Sequence, residues 1–270
     1  MRVGVCQLRA GEDVDANLVA VERLVRDAAE READLVALPE YAGYLGRPSR
    51  DVEAPLGHGR LEASLSALAR ELDVWIVGGT VAERDGEHVY DTAPLIAPDG
   101  EVVTRYRKIH LFDVELPGQP PFRESATFTP GNELVTHALP GARLGLAVCY
   151  DLRFPELFRG LMALGAELFV VPSQFQHVTG QAHWEVLLRA RAIENQCDLV
   201  APAQWGTYGP EGQGRRSFGH AIAIGPWGEV LAEAPDEGDV ALVVDLDMAE
   251  LRRVRRVLPA LQHRRLGMVC

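Results

Sequence analysis

The sequence has few cysteines and no long hydrophobic run. Its four cysteines, at positions 6, 149, 197 and 270, are widely separated and form no C-x-x-C pair, so neither a zinc site nor a disulfide framework is indicated. No stretch approaches the roughly 20 consecutive apolar residues of a membrane span. The opening residues, MRVGVCQLRA, lack a basic leader followed by an apolar region and a cleavage site. We therefore expect a cytoplasmic protein with no membrane partner.

The sequence also has fewer basic than acidic residues, 27 against 39. The formal net charge is -12, and the arginines gather mainly in one short run near the C-terminus. Such a chain would repel a phosphate backbone, so we expect no nucleic-acid partner. The sequence contains no G-x-G-x-x-G or P-loop motif for nucleotides, no G-x-S-x-G serine hydrolase elbow and no H-E-x-x-H zinc motif.

The sequence does contain a regular alternation of apolar strands and amphipathic helices. The segments RVGVCQL, DLVALPE and VWIVGGTV in the first half, and LGLAV, LFVVPSQF and DLVAPAQ in the second, are typical of buried strands. Turn residues at Pro98-Asp99-Gly100 and Pro226-Trp227-Gly228 predict hairpins. With 270 residues and 47% hydrophobic composition, the chain is expected to form one layered α/β domain over residues 1–270.

A long connection runs from Asp113 to Pro130 and is rich in proline and polar residues. Loops of that length are uncommon inside compact domains and often line functional sites. This segment is therefore predicted to form a wall of a pocket.

Three apolar strands end in reactive side chains: Glu40 after LVALP, Lys108 after RYR and Cys149 after GLAV. Ligands of open α/β sheets bind at the carboxyl ends of strands. The turn that leads from Cys149 to a helix near Pro155 is similar to turns that expose a nucleophile. Taken singly, each residue could also have no catalytic role. Cysteines are often buried as small hydrophobes, and single acids and lysines are usually solvated.

A family resemblance joins these residues. The segments LPEYAG, YRKIHLFD and CYDLRFPE occur in that order and resemble the three signature segments of the nitrilase superfamily of carbon-nitrogen hydrolases. The similarity continues through TGQAHWEVLLRARAIENQ, GHAIAIGPWGEVL and LPALQHRR. It implies a four-layer α-β-β-α sandwich, no metal or other cofactor, and a homodimer or higher homo-oligomer. The C-terminal helix or the helix that carries Arg189 and Arg191 could form the subunit contact.

The resemblance also implies a mechanism. Cys149 is expected to be the nucleophile, Glu40 the general base and Lys108 the electrostatic stabiliser of a cysteine-dependent amidase that forms a thioester. An ammonium beside the sulfur would favour the thiolate. Tyr150 is expected to contact the substrate through its backbone amide, as a second oxyanion donor.

Further site residues follow from the same resemblance. Glu124 matches an acid that the family places next to the lysine, with Glu115 as the competing candidate. Arg153 and Thr179 match a carboxylate-binding pair, since an arginine fork holds a carboxylate through two hydrogen bonds. For Arg153, an ion pair with Asp151 or Glu156 is an equal alternative.

Within the superfamily, the chain is most similar to amidases of 2-oxo dicarboxylic acids, and more to the deaminated glutathione type than to omega-amidase. A small-molecule amide resembling deaminated glutathione is the expected substrate. The alternatives are omega-amidase activity on 2-oxoglutaramate, N-carbamoyl amino acid hydrolysis, aliphatic amidase activity, or a non-catalytic binding protein of the same fold. A true nitrilase is disfavoured because Tyr150 and Asp151 follow Cys149, where nitrilases typically have tryptophan and glutamate.

Overall fold

A computed structural model describes residues 1–46, 59–115, 121–209 and 215–266 of the chain. Its helices are α1 (Val14–Glu30), α2 (Gly59–Leu72), α3 (Pro155–Ala163), α4 (His177–Asn195) and α5 (Met248–Val257). Its strands are β1 (Arg2–Leu8), β2 (Leu35–Ala37), β3 (Trp75–Val77), β4 (Val81–Asp85), β5 (His88–Ile96), β6 (Val102–Arg107), β7 (Asp113–Val114), β8 (Phe122–Arg123), β9 (Thr136–Leu139), β10 (Ala142–Leu146), β11 (Leu168–Val170), β12 (Asp198–Ala201), β13 (Ala203–Tyr208), β14 (Arg215–Phe218), β15 (Ile222–Ile224), β16 (Val230–Glu233) and β17 (Val240–Asp245).

Two large sheets organise these elements. The first has the strand order β14-β13-β1-β2-β3-β5-β4, with β17 beside β1 and β6 beside β5. The second has the order β16-β15-β12-β11-β10-β9, and β7 and β8 form a small separate pair. Parallel pairing joins β1, β2 and β3 in the first sheet and β10, β11 and β12 in the second. The two halves of the chain are therefore built alike, as the repeated strand-helix pattern predicts.

The buried side chains define four layers. In β1, Val3 and Val5 belong to a core that also contains Leu144 and Leu168 of the second sheet, so this core lies between the two sheets. Leu8 belongs instead to a second core, shared with the inward faces of α1 and α2. Helices α3 and α4 contribute Phe158, Trp184 and Leu188 to the core of the second sheet. The predicted α-β-β-α sandwich is therefore confirmed.

Helix α1 shows how the sequence produces one of these layers. The Asp13 carboxylate accepts a hydrogen bond from the backbone N–H of Ala16 at 3.0 Å and caps the first turn. The helix then buries Val21, Leu24, Val25 and Ala28 at helical spacing. Gly4 of β1 allows this helix to approach closely, because a Cβ at that position would lie 2.7 Å from the Cβ of Ala28.

The two predicted hairpins occur where the turn residues stand. Strands β5 and β6 pair on either side of Pro98-Asp99-Gly100, and β15 and β16 pair on either side of Pro226-Trp227-Gly228. Both glycines adopt a positive φ, 82° at Gly100 and 90° at Gly228, a conformation that glycine adopts without steric cost.

In the C-terminal helix, the spacing of Met248, Leu251, Val254, Leu258 and Leu261 predicts one apolar face that extends to Leu261. Helix α5 buries Met248, Leu251 and Val254, as expected, but it ends at Val257, and Leu258 is 48% exposed. Pro259 explains the end, since a residue that precedes proline is disfavoured in the helical conformation. In the described parts of the chain, no helix combines the length and apolar character that a membrane span requires.

Candidate active site

The nucleophile candidate stands in a sharp turn after β10. Cys149 begins a short 3-10 helix, Cys149–Arg153, and has a φ of 47°, in the left-handed region that residues other than glycine seldom adopt. Its backbone N–H donates to the carbonyl of Pro172 at 2.9 Å, which ties the turn to the strand next to β10. The residue is 6% exposed. The geometry matches the strand-to-helix turn that the sequence predicts.

Asp151 stabilises this turn through hydrogen bonds. Its Oδ2 accepts hydrogen bonds from the backbone N–H of Val148 at 2.9 Å and from the Tyr106 hydroxyl at 2.6 Å. Its Oδ1 lies 3.0 Å from the backbone nitrogen of His110 and 2.7 Å from the Nδ1 of that ring. Since residues 106–110 carry the lysine candidate, Asp151 connects the turn of Cys149 to that segment. The sequence patterns did not indicate this role.

Lys108 lies between the acids of the site. Its Nζ donates to Oε1 of Glu40 at 2.7 Å and to Oε1 of Glu124 at 2.8 Å, and it lies 3.7 Å from Oδ2 of Asp91. The oxygens of these three acids lie within 4.8 Å of one another, a spacing that could hold a metal ion. The cation that the described residues place among them is the ammonium of Lys108.

Glu40, which follows β2, is linked to the sulfur through one residue. Its Oε2 accepts the backbone N–H of Gln174 at 2.7 Å, and the carbonyl of Gln174 accepts the Cys149 thiol at 3.5 Å. The backbone carbonyl of Glu40 accepts from the side-chain amide of Gln204 at 2.9 Å. Strands of both sheets thus hold the acid and the thiol side by side.

The two candidates for the fourth acid occupy different environments. Glu124 is 2% exposed, and its carboxylate accepts from Lys108, from the Tyr41 hydroxyl at 2.7 Å and from the backbone N–H of Phe112. Glu115 is 68% exposed and pairs with Arg123. Of the two, Glu124 therefore lies in the site beside the lysine.

Burial and neighbouring charges set the protonation states. Burial raises the pKa of the Cys149 thiol well above its usual range, the charge of Glu40 adds to that shift, and Lys108 opposes it without cancelling it. Burial also raises the pKa of Glu40 against the opposing effect of Lys108. For Lys108, burial lowers the pKa, but the surrounding carboxylates outweigh burial and raise it well above its usual value. The resting sulfur is therefore a thiol, and the ammonium alone does not produce the thiolate.

A cavity opens over these groups. Cys149, Glu40, Lys108 and Glu124 line it together with Phe122 and further aromatic residues. Because Phe122 and Glu124 belong to the connection between Asp113 and Pro130, the prediction that this segment forms a pocket wall is confirmed for its described residues. Residues 116–120 of the connection lie outside the described part of the chain.

The predicted substrate-binding residues also line this cavity. The Arg153 guanidinium lies 5.2 Å from the centre of the Phe175 ring and 5.7 Å from that of Tyr150, and its Nη1 is 3.2 Å from Nδ1 of His183. The Thr179 hydroxyl donates to the carbonyl of Gln176 at 3.2 Å. Among the ion pairs within the described ranges, none joins Arg153 to a carboxylate.

Comparison with known proteins identifies the family. The model of the carbon-nitrogen hydrolase family matches residues 2–256. The chain belongs to this family. Human deaminated glutathione amidase is 43% identical over 272 residues, which cover 97% of this chain and 82% of that protein. Mouse omega-amidase is 35% identical over 268 residues, which cover 98% of this chain and 95% of that protein.

Solved structures confirm the fold of this carbon-nitrogen hydrolase. Yeast Nit3, a member of branch 10 of the nitrilase superfamily, superposes with a TM-score of 0.86 at 29% identity over 98% of this chain and 97% of that one. The C. elegans NitFhit protein superposes with a TM-score of 0.89 at 34% identity and 98% coverage of this chain. The chain spans 65% of the length of NitFhit.

The carbon-nitrogen hydrolase site contains one more acid that the sequence patterns did not indicate. Asp91 of β5 is 1% exposed, and neither of its carboxyl oxygens has a hydrogen-bond partner among the described residues. Burial raises the pKa of Asp91 well above its usual range, Lys108 opposes the shift, and Glu40 and Glu124 reinforce it. The sequence feature that could have indicated Asp91 is a single acid within the largely apolar strand HVYDTAPLI.

Proposed function

We propose that this carbon-nitrogen hydrolase is a cysteine-dependent amidase for an amide of a 2-oxo dicarboxylic acid, with deaminated glutathione as the substrate type. The observation that carries the proposal is the buried group of Glu40, Lys108 and Glu124 next to Cys149, in one cavity with the Arg153 guanidinium, which forms no ion pair with a carboxylate of the described residues. The similarity to human deaminated glutathione amidase supports the substrate class.

In the first half-reaction, Glu40 takes the proton of the Cys149 thiol as the sulfur attacks the amide carbonyl. General-base assistance is required because the pKa of the thiol is raised and little thiolate exists beforehand. When the tetrahedral intermediate collapses, the carbon-nitrogen bond breaks, the proton passes from Glu40 to the leaving amine, and a thioester remains on the sulfur.

In the second half-reaction, Glu40 takes a proton from water, and the resulting hydroxide attacks the thioester carbonyl. Collapse of this second intermediate breaks the carbon-sulfur bond, the sulfur regains its proton, and the carboxylic acid leaves. One acid-thiol pair thus serves both steps without any other proton carrier.

Charge on the carbonyl oxygen needs donors in both intermediates. The ammonium of Lys108 stays protonated because its pKa is raised, and it lies among the residues that line the cavity. We assign the backbone N–H of Tyr150 as the second donor. A single donor of this kind contributes about 3 to 4 kcal/mol to transition-state stabilisation. Glu124 fixes the direction of the ammonium by accepting from it at 2.8 Å.

Arg153 and Thr179 supply recognition of the acyl part. A guanidinium that rests on aromatic rings and pairs with no carboxylate of the described residues suits a substrate carboxylate. Thr179 adds a hydroxyl next to the N-terminus of α4. A 2-oxo dicarboxylic acid would place its carboxylate here and its amide at the sulfur.

The test is a panel of substrates with a matched variant. Released amine or ammonia is measured from deaminated glutathione, 2-oxoglutaramate, an N-carbamoyl amino acid and a simple nitrile, for the wild type and for Cys149→Ala. We expect deaminated glutathione to be the best substrate and the variant to be inactive. Preference for 2-oxoglutaramate would favour omega-amidase, which the 35% identity to the mouse enzyme makes the second candidate. No turnover on the whole panel, with a Cys149 that weak electrophiles do not label, would favour the non-catalytic alternative.

Self-association is a further part of the proposal. Helix α4 and the adjacent turn present Val186, Ile193 and Trp227, which are 69%, 48% and 56% exposed. Arg189 donates to the carbonyl of Gly228 at 2.8 Å, so helix and turn form one continuous surface. We propose that this surface forms the contact of a homodimer or higher homo-oligomer. Light scattering after size exclusion should show more than a monomer, and Val186→Glu should shift it toward the monomer.

We also propose that residues 1–270 form a single domain, that the protein is cytoplasmic, and that catalysis needs no metal or other cofactor. Dialysis of the enzyme against a strong chelator should leave the rate unchanged.

A further inference from the structure

A hairpin end lies beside the cavity and carries an arginine that the mechanism does not use. Arg215 pairs with Tyr208 across β13 and β14, and its guanidinium lies 4.7 Å from the centre of the Phe122 ring, which lines the cavity. Ser217 of the same hairpin accepts a hydrogen bond from Nε2 of Gln174 at 2.9 Å. The hairpin therefore contacts the cavity wall at two points.

Tyr208 relates this arginine to the reacting sulfur. Burial raises the pKa of the Tyr208 hydroxyl, the contacts with Arg215 and Gln174 lower it, and a charge on Cys149 raises it. The Tyr208 hydroxyl therefore contacts both Arg215 and Gln174, and the carbonyl of Gln174 accepts the Cys149 thiol.

Arg215 has no acidic partner in the described part of the chain. Its neighbour Arg216 pairs with Glu237 at 3.4 Å, whereas no ion pair between described residues includes Arg215. The residue is half-buried. A half-buried guanidinium against a residue of the cavity wall offers its fork of donors to an anion that arrives with the substrate.

Aromatic rings connect Arg153, which lines the cavity, with Arg215, which lies beside it. The Phe112 ring lies 5.0 Å from Tyr150, which touches Arg153, and 5.8 Å from Phe122, which touches Arg215. One guanidinium therefore stands at each end of a row of three rings. Such a row suits an elongated substrate with a carboxylate at each end.

Deaminated glutathione has this form. Its acyl part carries the 2-oxo acid carboxylate, and its leaving amine is a dipeptide that ends in a glycine carboxylate. Two residues in extended form reach about 7 Å from the scissile nitrogen. With ammonia as the leaving group, as in 2-oxoglutaramate, nothing extends beyond that nitrogen.

We propose that Arg215 is a specificity-determining residue that binds the carboxylate at the end of the leaving amine, while Arg153 binds the carboxylate of the acyl part. The proposal rests on the proposed amidase function and deepens it. It assigns the difference between dipeptide-releasing and ammonia-releasing substrates to one side chain.

The experiment compares Arg215→Met with the neighbouring control Arg216→Met on three substrates: deaminated glutathione, the same compound with its terminal carboxylate converted to a carboxamide, and 2-oxoglutaramate. Methionine keeps an apolar stem over Phe122 and removes the charge. For deaminated glutathione, Arg215→Met should raise KM about 10- to 100-fold, the range for a lost charge-assisted hydrogen bond. For the other two substrates, both variants should stay within about twofold of the wild type, and Arg216→Met should leave all three unchanged.

The outcomes separate this proposal from the function on which it rests. Unchanged turnover of 2-oxoglutaramate by Arg215→Met would show that the variant folds. An equal loss on all three substrates, or no loss on deaminated glutathione, would overturn the role of Arg215 and leave the amidase function standing. A wild type that releases ammonia from 2-oxoglutaramate but ignores deaminated glutathione would do the same. A wild type that is silent on all three would overturn both.

Discussion

The ammonium nitrogen of Lys108 lies 2.7 Å from Oε1 of Glu40, and each of the two side chains is 1% exposed. A pair buried to this degree has lost its water, so each charge depends on its partner. The general base and the electrostatic stabiliser of the proposed mechanism are therefore also a structural unit. Changing either one tests both stability and catalysis.

Lys108→Met should destabilise the protein and stop turnover. The substitution keeps the volume of the stem but leaves the carboxylates of Glu40 and Glu124 without their cation, which should lower the free energy of unfolding by about 3 to 5 kcal/mol. Loss of an oxyanion donor should lower kcat by about 100-fold or more. Urea denaturation and steady-state kinetics measure the two effects.

A double variant provides the control. Lys108→Met combined with Glu124→Gln removes one of the uncompensated charges, so it should recover part of the stability and none of the activity. A single Lys108→Met variant as stable as the wild type would contradict the buried pair as described.

The acidic limb of the pH-rate profile should reflect Glu40. Burial raises the pKa of this acid above its ordinary value. Since the carboxylate must be ionised to accept the thiol proton, kcat/KM should fall as the pH decreases through this raised pKa, at a higher pH than for an ordinary glutamate of pKa about 4.3. Glu40→Gln should lose about 1,000-fold or more in kcat and should not show this limb.

The measurement is kcat/KM from pH 4 to 9 with circular dichroism at each pH, to separate titration from unfolding. A limb at or below the pKa of an exposed glutamate, in a protein that stays folded, would contradict the assignment of Glu40 as the base.

Part of the site was predictable because strand ends converge. Glu40 and Lys108 are 68 positions apart in sequence, yet each stands after the end of a strand, and the family motifs mark both. The thiol state of Cys149 was not predictable in this way. A sequence suggests that a lysine stands near the sulfur, but whether its charge outweighs burial and a carboxylate depends on distances and on solvent exclusion, which only the folded chain defines.

The same limit applies to Asp91 and to the end of α5. Asp91 belongs to a strand that periodicity assigns to the core, and its approach to Lys108 depends on the register between β5 and β6. Leu258 fits the apolar face of α5 by spacing but lies beyond the helix, because Pro259 stops the helical conformation. Register and local backbone chemistry thus corrected what the hydrophobic pattern alone predicted.

Asp91→Asn should be tolerated in catalysis and should stabilise the protein as the pH rises. Because the pKa of Asp91 is raised on folding, the folded state holds a proton that the unfolded state releases. The wild type therefore loses stability as the pH rises from the unfolded pKa, about 3.9, toward the folded pKa, and asparagine, which has the shape of the protonated acid, removes this loss.

Urea denaturation of both proteins at pH 5 and pH 8 measures this effect. The advantage of Asp91→Asn should be larger at pH 8, by about 1 to 3 kcal/mol, with kcat within about threefold of the wild type. An advantage that shrinks as the pH rises, or a kcat reduced by more than tenfold, would mean that Asp91 acts as an ionised carboxylate.

Asp151→Asn should weaken the turn that holds Cys149. The carboxylate accepts from Tyr106, from the backbone of Val148 and from His110, and an amide oxygen can replace only one of its two oxygens as acceptor. At least one buried donor would then face an amide NH₂ group, at a cost of about 1 to 3 kcal/mol in stability. Because residue 149 has a φ of 47° and is held in place by its surroundings, displacement of the turn should also lower kcat, by about 10- to 100-fold.

Tyr106→Phe is the matched control, since it removes one donor and leaves the other contacts of Asp151 in place. It should lower the free energy of unfolding by only about 0.5 to 1.5 kcal/mol. The two variants are compared by urea denaturation, by kcat and KM, and by the rate of Cys149 alkylation. If Asp151 positions the turn, Asp151→Asn should lower kcat more than it changes KM and should alter the alkylation rate of Cys149. If its role is purely structural, the substitution should lower stability, while the folded fraction keeps the wild-type kcat and alkylation rate. Equal effects of the two substitutions would show that Asp151 holds the turn through Tyr106 alone, and the connection to the His110 segment would then have no part in placing the sulfur.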